Sequence, residues 1–377
     1  MVDMAVIALE IGLNVAGARG IDAYYRGLLN GLARVDQENR YLVFAHFWRD
    51  YEAKLARLQI PERENFVAAV KRWPDSAVER LERRLGLPVI DRLFARPSKV
   101  ALYHALGGRL PRLSRAKSVV TVHDLIPEVL HERGLGGPAS GVSGEAARRA
   151  DRVIAISKST KNDLVRFYGV DASKIEVVHY GMDHDLFKPI DEPAILRKHG
   201  IAGPYWLLLG PFELRRNHER ALEALARAGG GETLVFAGSR GAYSQRLEAE
   251  ARRLGLAGRL VFAGHVPRED MPALYSGARG LLHPTLYEGF CLPVLEAMAC
   301  GTPVVASNAS SLPEVVGDAA LTADPESVDA IAAAVAALAS ESKRRELREK
   351  GIARAAGFTW DEAARRTKAV YSSLLGG

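Results

Sequence analysis

One pattern constrains this chain more than any other. Short apolar runs alternate with helix-period stretches, and the alternation is set out twice along 377 residues. The runs MAVIALE, YLVFAHF, ALYHA, SVVTVHD, RVIAIS and KIEVVHY occupy the first half, and YWLLLG, TLVFAG, RLVFAG, GLLHPT and PVVAS the second. Stretches such as IDAYYRGLLNGLARV, HERALEALARA and YSQRLEAEARRLG carry apolar residues at helical spacing. Strands joined through helices need crossover connections, so each half should build a parallel sheet with helices on both faces. The rhythm breaks at 188–204, where Pro189, Pro193, Gly200, Gly203 and Pro204 cluster. A linker is expected there, dividing an N-terminal domain, 1–188, from a C-terminal one beginning at 189. Two domains also suit the length, since domains commonly run about 100–200 residues. The expected class is α/β, with two tandem doubly wound domains facing a central cleft, where the carboxyl ends of the strands would hold a ligand.

Composition excludes several classes. Hydrophobic residues are 48% and charged residues 25% of the chain, as in an ordinary globular protein. The two cysteines, Cys291 and Cys300, form no CxxC pair and stand beside no histidine at metal spacing, so a disulfide framework is excluded and a reducing compartment is favoured. The start, MVDMAVIALEIGL, lacks a basic leader and carries Asp3 and Glu10, and no apolar run reaches the roughly 18–20 residues a bilayer span needs. A cytoplasmic protein is expected. The net charge of +6 suits an anionic partner without choosing one. Between Lys71 and Val100, eight Lys or Arg face four Asp or Glu, interleaved with Trp73, Leu81, Leu85, Leu93 and Phe94. Such a basic amphipathic segment could touch the inner face of a membrane peripherally through 71–100, or simply pack on its own domain.

The stretch HPTLYEGFCLPVLEAMACGTPVVASNASSLPEVVGDAA, 283–320, carries the most chemistry. Glu288 falls in a loop after a strand, and Glu296 is expected about two turns into a helix. The amides of Gly289, Phe290 and Leu292 then lie near a helix N-terminus, where free N–H groups and the macrodipole favour a diphosphate. Glu296 can accept two hydrogen bonds from a ribose diol, and Glu288 can hold sugar hydroxyls. Solvent-facing helix charges are the plain alternative. A retaining hydrolase fits poorly, because eight helical residues rise about 12 Å while its two carboxyl groups must lie about 5–5.5 Å apart.

This stretch closely resembles the donor-site signature of glycosyltransferase family 4, of the GT-B fold, whose Glu-x7-Glu motif matches at Glu288 and Glu296. SVVTVHDLIPEVL, RVIAISKSTKNDLVRFYGV, IEVVHYGMDHDLF and GFTWDEAARRTKAVYSSLL are similar to the family as well, so the resemblance covers most of the chain and is weakest over 48–100. It implies a retaining hexosyltransferase with a C-terminal nucleotide-sugar domain over 189–357 and a final helix, 358–377, crossing back onto the N-terminal domain. In GPFELRRNHERAL the family commonly has an Arg or Thr after the glycine and a Lys six residues after it. Here those places hold Pro211, which offers no donor, and Arg216 with Arg215 beside it. Arg216 and Arg215 are then expected at the leaving diphosphate, and the departure at Pro211 leans toward the mannosyl- or rhamnosyl-type subset. The resemblance further places His123 on the acceptor side of the donor sugar in a positioning role. It puts the loop around Gly20 beside the donor phosphates and Val266 near the base.

His104 and Asp124, at or after strand ends, are expected to line the acceptor pocket. Front-face substitution without a metal or cofactor is the implied mechanism. The donor would be GDP-mannose, or a UDP-sugar, and the acceptor a glycan or lipid-linked glycan of the cell envelope. Other readings stay open: an enzyme making a soluble glycoside, or a nucleotide-sugar-binding protein without turnover. A nicotinamide oxidoreductase is disfavoured because Gly17 to Gly20 lacks the full G-x-G-x-x-G order. No recognition motif supports nucleic-acid binding.

Overall fold

The computed structural model describes residues 4–11, 19–46, 52, 58–72 and 100–376. The chain divides into two compact units: Met1–Glu128 with Pro138–Gly181 and Thr359–Gly377, and Val129–Gly137 with Met182–Phe358. The segment 73–99, most of the expected membrane-contact region 71–100, lies outside the described residues, as does the loop 12–18. Among the described residues no helix is long and apolar enough to cross a membrane.

The first unit is built on seven parallel strands: β1 (Val6–Glu10), β2 (Arg40–His46), β3 (Phe66–Lys71), β4 (Val100–Ala105), β5 (Lys117–Val122), β6 (Arg152–Ala155) and β7 (Ile175–Val177), in the order β3-β2-β1-β4-β5-β6-β7. The near-continuous apolar runs follow from burial on both faces; Val119, Val120 and Val122 of β5 are all inaccessible. The helix Trp360–Leu375 lies against the helix Arg19–Val35. Glycines permit that approach: a Cβ on Gly27 would fall 2.0 Å from the Trp360 ring, and one on Gly31 2.5 Å from the Trp360 carbonyl oxygen.

The second unit carries six parallel strands: β8 (Tyr205–Leu209), β9 (Thr233–Ala237), β10 (Leu260–Gly264), β11 (Gly280–His283), β12 (Val304–Ser307) and β13 (Leu321–Ala323). Their order is β10-β9-β8-β11-β12-β13, the doubly wound order in which the strand sequence reverses at one place, here between β8 and β11. The core gathers Leu208, Leu222, Leu225, Phe236, Leu282 and Val305.

Two strands, β3 and β13, had no counterpart in the sequence reading. The expected linker at 188–204 is instead partly structured. A helix spans Pro193–Lys198, and the Ile190 amide donates to Ser276 Oγ at 3.1 Å, fastening this stretch to the second unit.

Candidate active site

The reversal between β8 and β11 puts two loops side by side at the strands' carboxyl ends, and these loops hold Pro211, Arg215, Arg216, Glu288, Gly289 and Phe290. After β8 the chain runs through Gly210 and an exposed Pro211 into a short 3-10 turn, Leu214–Arg216. Asn217, in the left-handed region at φ 61°, closes the turn and starts the helix His218–Ala228. Its buried side-chain amide donates to the carbonyls of Pro284 (2.8 Å) and Pro325 (2.7 Å), tying the loop to those after β11 and β13. The Arg215 carbonyl accepts from Leu286 N (2.8 Å) and Thr285 Oγ1 (3.0 Å). A third loop, after β12, grips Glu288: its amide donates to Ser310 Oγ at 2.9 Å, and Ser311 Oγ donates to its carbonyl at 3.0 Å.

Glu288 is buried, and its Oε1 is the focus of charge. Arg216 Nη1 donates to it, and Arg215 Nη1 lies 3.0 Å away. Burial alone would raise this carboxyl group, but Arg216, a bond from His283 and Arg215 together hold it well below the ordinary carboxylate range. The two arginines have different tasks. Arg215 spends its guanidinium within the protein: Nε and Nη2 donate to Glu213 Oε1 (3.1 and 2.6 Å), and Nη1 to the Tyr287 carbonyl (2.9 Å). That corrects the expectation of Arg215 as a phosphate ligand; it is a brace between loops. Among the described residues Arg216 donates from Nη1, to Glu288 and toward His283 Nε2 at 3.0 Å. Its Nε is buried without a hydrogen-bond partner among the described residues. A buried charged donor left unsatisfied is costly, and the Nε–Nη2 edge is the side of a guanidinium that grips an oxyanion.

The helix Leu292–Ala299 begins after Cys291, which sits in the left-handed region at φ 82°. Gly289, Phe290 and Leu292 are buried around this N-terminus, and its N-cap residue, Cys291, makes no side-chain capping bond. Glu296 is the fifth residue of the helix, a little over one turn in rather than two, because the helix starts only at Leu292. Its Oε2 accepts from Tyr275 Oη at 2.9 Å. Val266 is buried just beyond β10.

In the first unit the outcome is mixed. His104, on β4, has no exposed surface. Nδ1 lies 2.6 Å from Tyr371 Oη, Nε2 lies 2.8 Å from Thr121 Oγ1, and burial lowers the ring's pKa to about 3. Both nitrogens are occupied inside the core, which corrects its assignment to an acceptor pocket. His123, just beyond β5, is half-buried. The Leu106 carbonyl lies 2.7 Å from Nε2, so Nε2 carries the proton and Nδ1 accepts from Tyr180 Oη at 2.5 Å. Burial lowers its pKa to about 4, so it stays neutral near pH 7. Asp124 Oδ1 accepts from the Ile126 amide at 3.1 Å, shaping the start of the helix Ile126–Glu132. Gly20 is exposed in the first turn of its helix, with open space where a Cβ would point.

Sequence reading missed His283, the last residue of β11. Its Nε2 lies 3.3 Å from Glu288 Oε1 and 3.2 Å from Cys291 Sγ. Spacing in the chain hid this meeting, because the loop after β11 folds back on the strand end.

Comparison with known proteins fits this geometry. The family model for glycosyl transferases group 1 matches residues 191–355, and that for Glycosyltransferase Family 4 matches residues 18–186. The O-antigen chain mannosyltransferase B of Escherichia coli is 35% identical over 293 residues, covering 74% of this chain and 76% of that one. The chain belongs to glycosyltransferase family 4. The serotype-specific mannosyltransferase WbdA of Escherichia coli is 30% identical over 69% of this glycosyltransferase, which spans only 34% of WbdA. In fold the protein is similar to HepE from Anabaena, solved in complex with UDP and glucose, with TM-score 0.73, 20% identity and coverage of 98% of this chain and 100% of that one. The fold is GT-B, with its two parallel sheets of seven and six strands.

Proposed function

We propose that this glycosyltransferase is a retaining, metal-independent hexosyltransferase. It moves mannose from a nucleoside-diphosphate donor, GDP-mannose before a UDP-sugar, to a glycan or lipid-linked acceptor of cell-envelope polysaccharide. The observation that carries this reading is the buried Arg216 Nε, unsatisfied among the described residues and held at the switch point of a doubly wound sheet, beside a helix N-terminus whose N-cap residue makes no side-chain capping bond. Glu288 orients the guanidinium through Nη1, which leaves the other edge for the diphosphate. The N-terminal amides around Gly289, Phe290 and Leu292 add partial positive charge. Glu296 accepts from the ribose diol, and the backbone at Val266 borders the base. Mannosyltransferase relatives support the choice of sugar.

The acceptor hydroxyl oxygen bonds to the anomeric carbon on the face the diphosphate leaves. The carbon–oxygen bond to phosphate breaks, and the hydroxyl proton passes to the departing phosphate oxygen. Charge builds on the leaving group, so stabilisation by Arg216 and the amides is the main contribution, together with positioning. His123, neutral and with both ring nitrogens engaged, is a positioning group on the acceptor side and not a proton carrier. The test is product stereochemistry. GDP-mannose is supplied with mannose-terminated oligosaccharides, and the new linkage is examined by NMR for its one-bond anomeric C–H coupling. An α-linkage from the α-donor supports retention, and a β-linkage rules it out.

A further inference from the structure

We propose that His283, Glu288 and Cys291 form a binding site for a thiophilic divalent cation of the zinc type, and that the cation opposes donor binding by taking Glu288 from Arg216. The three side chains come from the end of β11, the following loop and the residue before the helix Leu292–Ala299. His283 Nε2 stands 3.2 Å from Cys291 Sγ and 3.3 Å from Glu288 Oε1, and the three ligand atoms all lie within 4.8 Å of one another. Zinc bonds of about 2.3 Å to sulfur and about 2.0–2.2 Å to nitrogen and oxygen place neighbouring ligands of a tetrahedron roughly 3.3–3.6 Å apart. Two edges of such a face are therefore in place already, and the fourth position is left for water. Nitrogen, carboxylate and sulfur donors together select Zn2+ or Cd2+ over Mg2+ or Ca2+.

Charge explains the antagonism. Binding forms a metal–sulfur bond as the Cys291 thiol releases its proton to solvent. One thiolate and one carboxylate then neutralise the dication, with His283 as the neutral ligand. Arg216 Nη1 donates to the same Glu288 oxygen the cation would take. Arg215 Nη1 also lies 3.0 Å from that oxygen. A dication bonded there would take the lone pair that Arg216 uses and repel both guanidinium groups, so the Arg216–Glu288 ion pair must break. The guanidinium then loses the anchor that holds its free edge. This second half rests on the donor-site reading given above; the metal site itself does not.

The experiment titrates the intact, metal-free protein with Cd2+ and follows the ultraviolet thiolate-to-cadmium charge-transfer band. One equivalent per chain is expected. The band should be lost in Cys291→Ser, kept in Cys300→Ser, displaced by Zn2+ and untouched by Mg2+. His283→Gln should weaken Cd2+ at least about tenfold, and circular dichroism should show that each variant is folded. Arg216→Met, which removes the nearer of the two guanidinium groups at Glu288 Oε1, should tighten Cd2+. No band, or a band that survives Cys291→Ser, overturns the site. Saturating GDP or UDP, whichever binds by calorimetry, should weaken Cd2+ at least about tenfold. If a nucleotide binds and Cd2+ affinity does not change, the antagonism is overturned. If neither nucleotide binds while the Cys291 band is present, the metal site stands and the donor-site reading fails.

Discussion

Replacing Glu288 with Gln tests the charge arrangement at the heart of the site. The variant keeps the shape and removes the one carboxylate that Arg215 and Arg216 share. Removing one member of a buried ion pair costs about 3–5 kcal/mol, because the remaining charge is buried without compensation. For a unit of roughly 150–250 residues each kcal/mol shifts Tm by about 2–4 °C, so a fall of about 6–20 °C is expected at pH 7. The pH dependence follows from the direction of the shift. Arg216, His283 and Arg215 depress the folded-state pKa of Glu288, so its contribution is fully present above the unfolded value of about 4.3. It fades as pH falls from there through the folded value. The Tm gap between the wild type and Glu288→Gln should therefore be widest at neutral pH and narrow below about pH 4. Calorimetric scans from pH 3.5 to 7.5 measure it. A gap under about 3 °C at pH 7, or one that does not change with pH, would refute the reasoning.

Other outcomes follow from the same structure. Arg216→Lys keeps the charge but loses the two-nitrogen edge, so nucleoside diphosphate affinity should fall by about 10–100-fold by calorimetry, with Tm little changed. Gly27→Ala would drive a methyl group into the Trp360 ring and should cost about 1–3 kcal/mol in urea unfolding; no loss would show that the last helix does not pack there. His104, His123 and His218 are held neutral by burial, with pKa values lowered to about 3, 4 and 3. Between about pH 6.5 and 4 the unfolded chain therefore takes up protons that the folded chain refuses, so stability is lost as pH is lowered through that window. His104→Asn should flatten that slope in denaturant titrations.

Much of the fold was legible because burial on both faces writes each strand as an apolar run. The exceptions are instructive. β13 is three residues long, too short to show a pattern, and β3 reads FVAAVK, an edge strand with only Phe66 buried. The placement of candidate residues was legible where it is set locally: Glu288 lies in the loop after β11 and Glu296 in the helix that follows. It was not legible where partners come from elsewhere in the chain. Arg215 and Arg216 are neighbours with the same side chain, and only the adjacency of β8 and β11 decides that one is a brace and the other keeps a free edge. His104 looked like a strand-end ligand because its partner, Tyr371, arrives on the last helix. The pairing of His283 with Cys291 depends on a loop that folds back over the end of its own strand.

The central claim is that the second unit holds a nucleoside diphosphate through Arg216, the helix N-terminus and Glu296. The most direct test is a thermal-shift panel of GDP, UDP, ADP, dTDP and NAD, each with and without EDTA, on the wild type and on Glu296→Ala. A ligand at about 100 times its Kd adds roughly 2.7 kcal/mol. The account predicts that one nucleoside diphosphate, GDP before UDP, raises Tm equally with and without EDTA, and that Glu296→Ala removes the rise. A shift with NAD alone, or no shift with any nucleoside diphosphate, would contradict it.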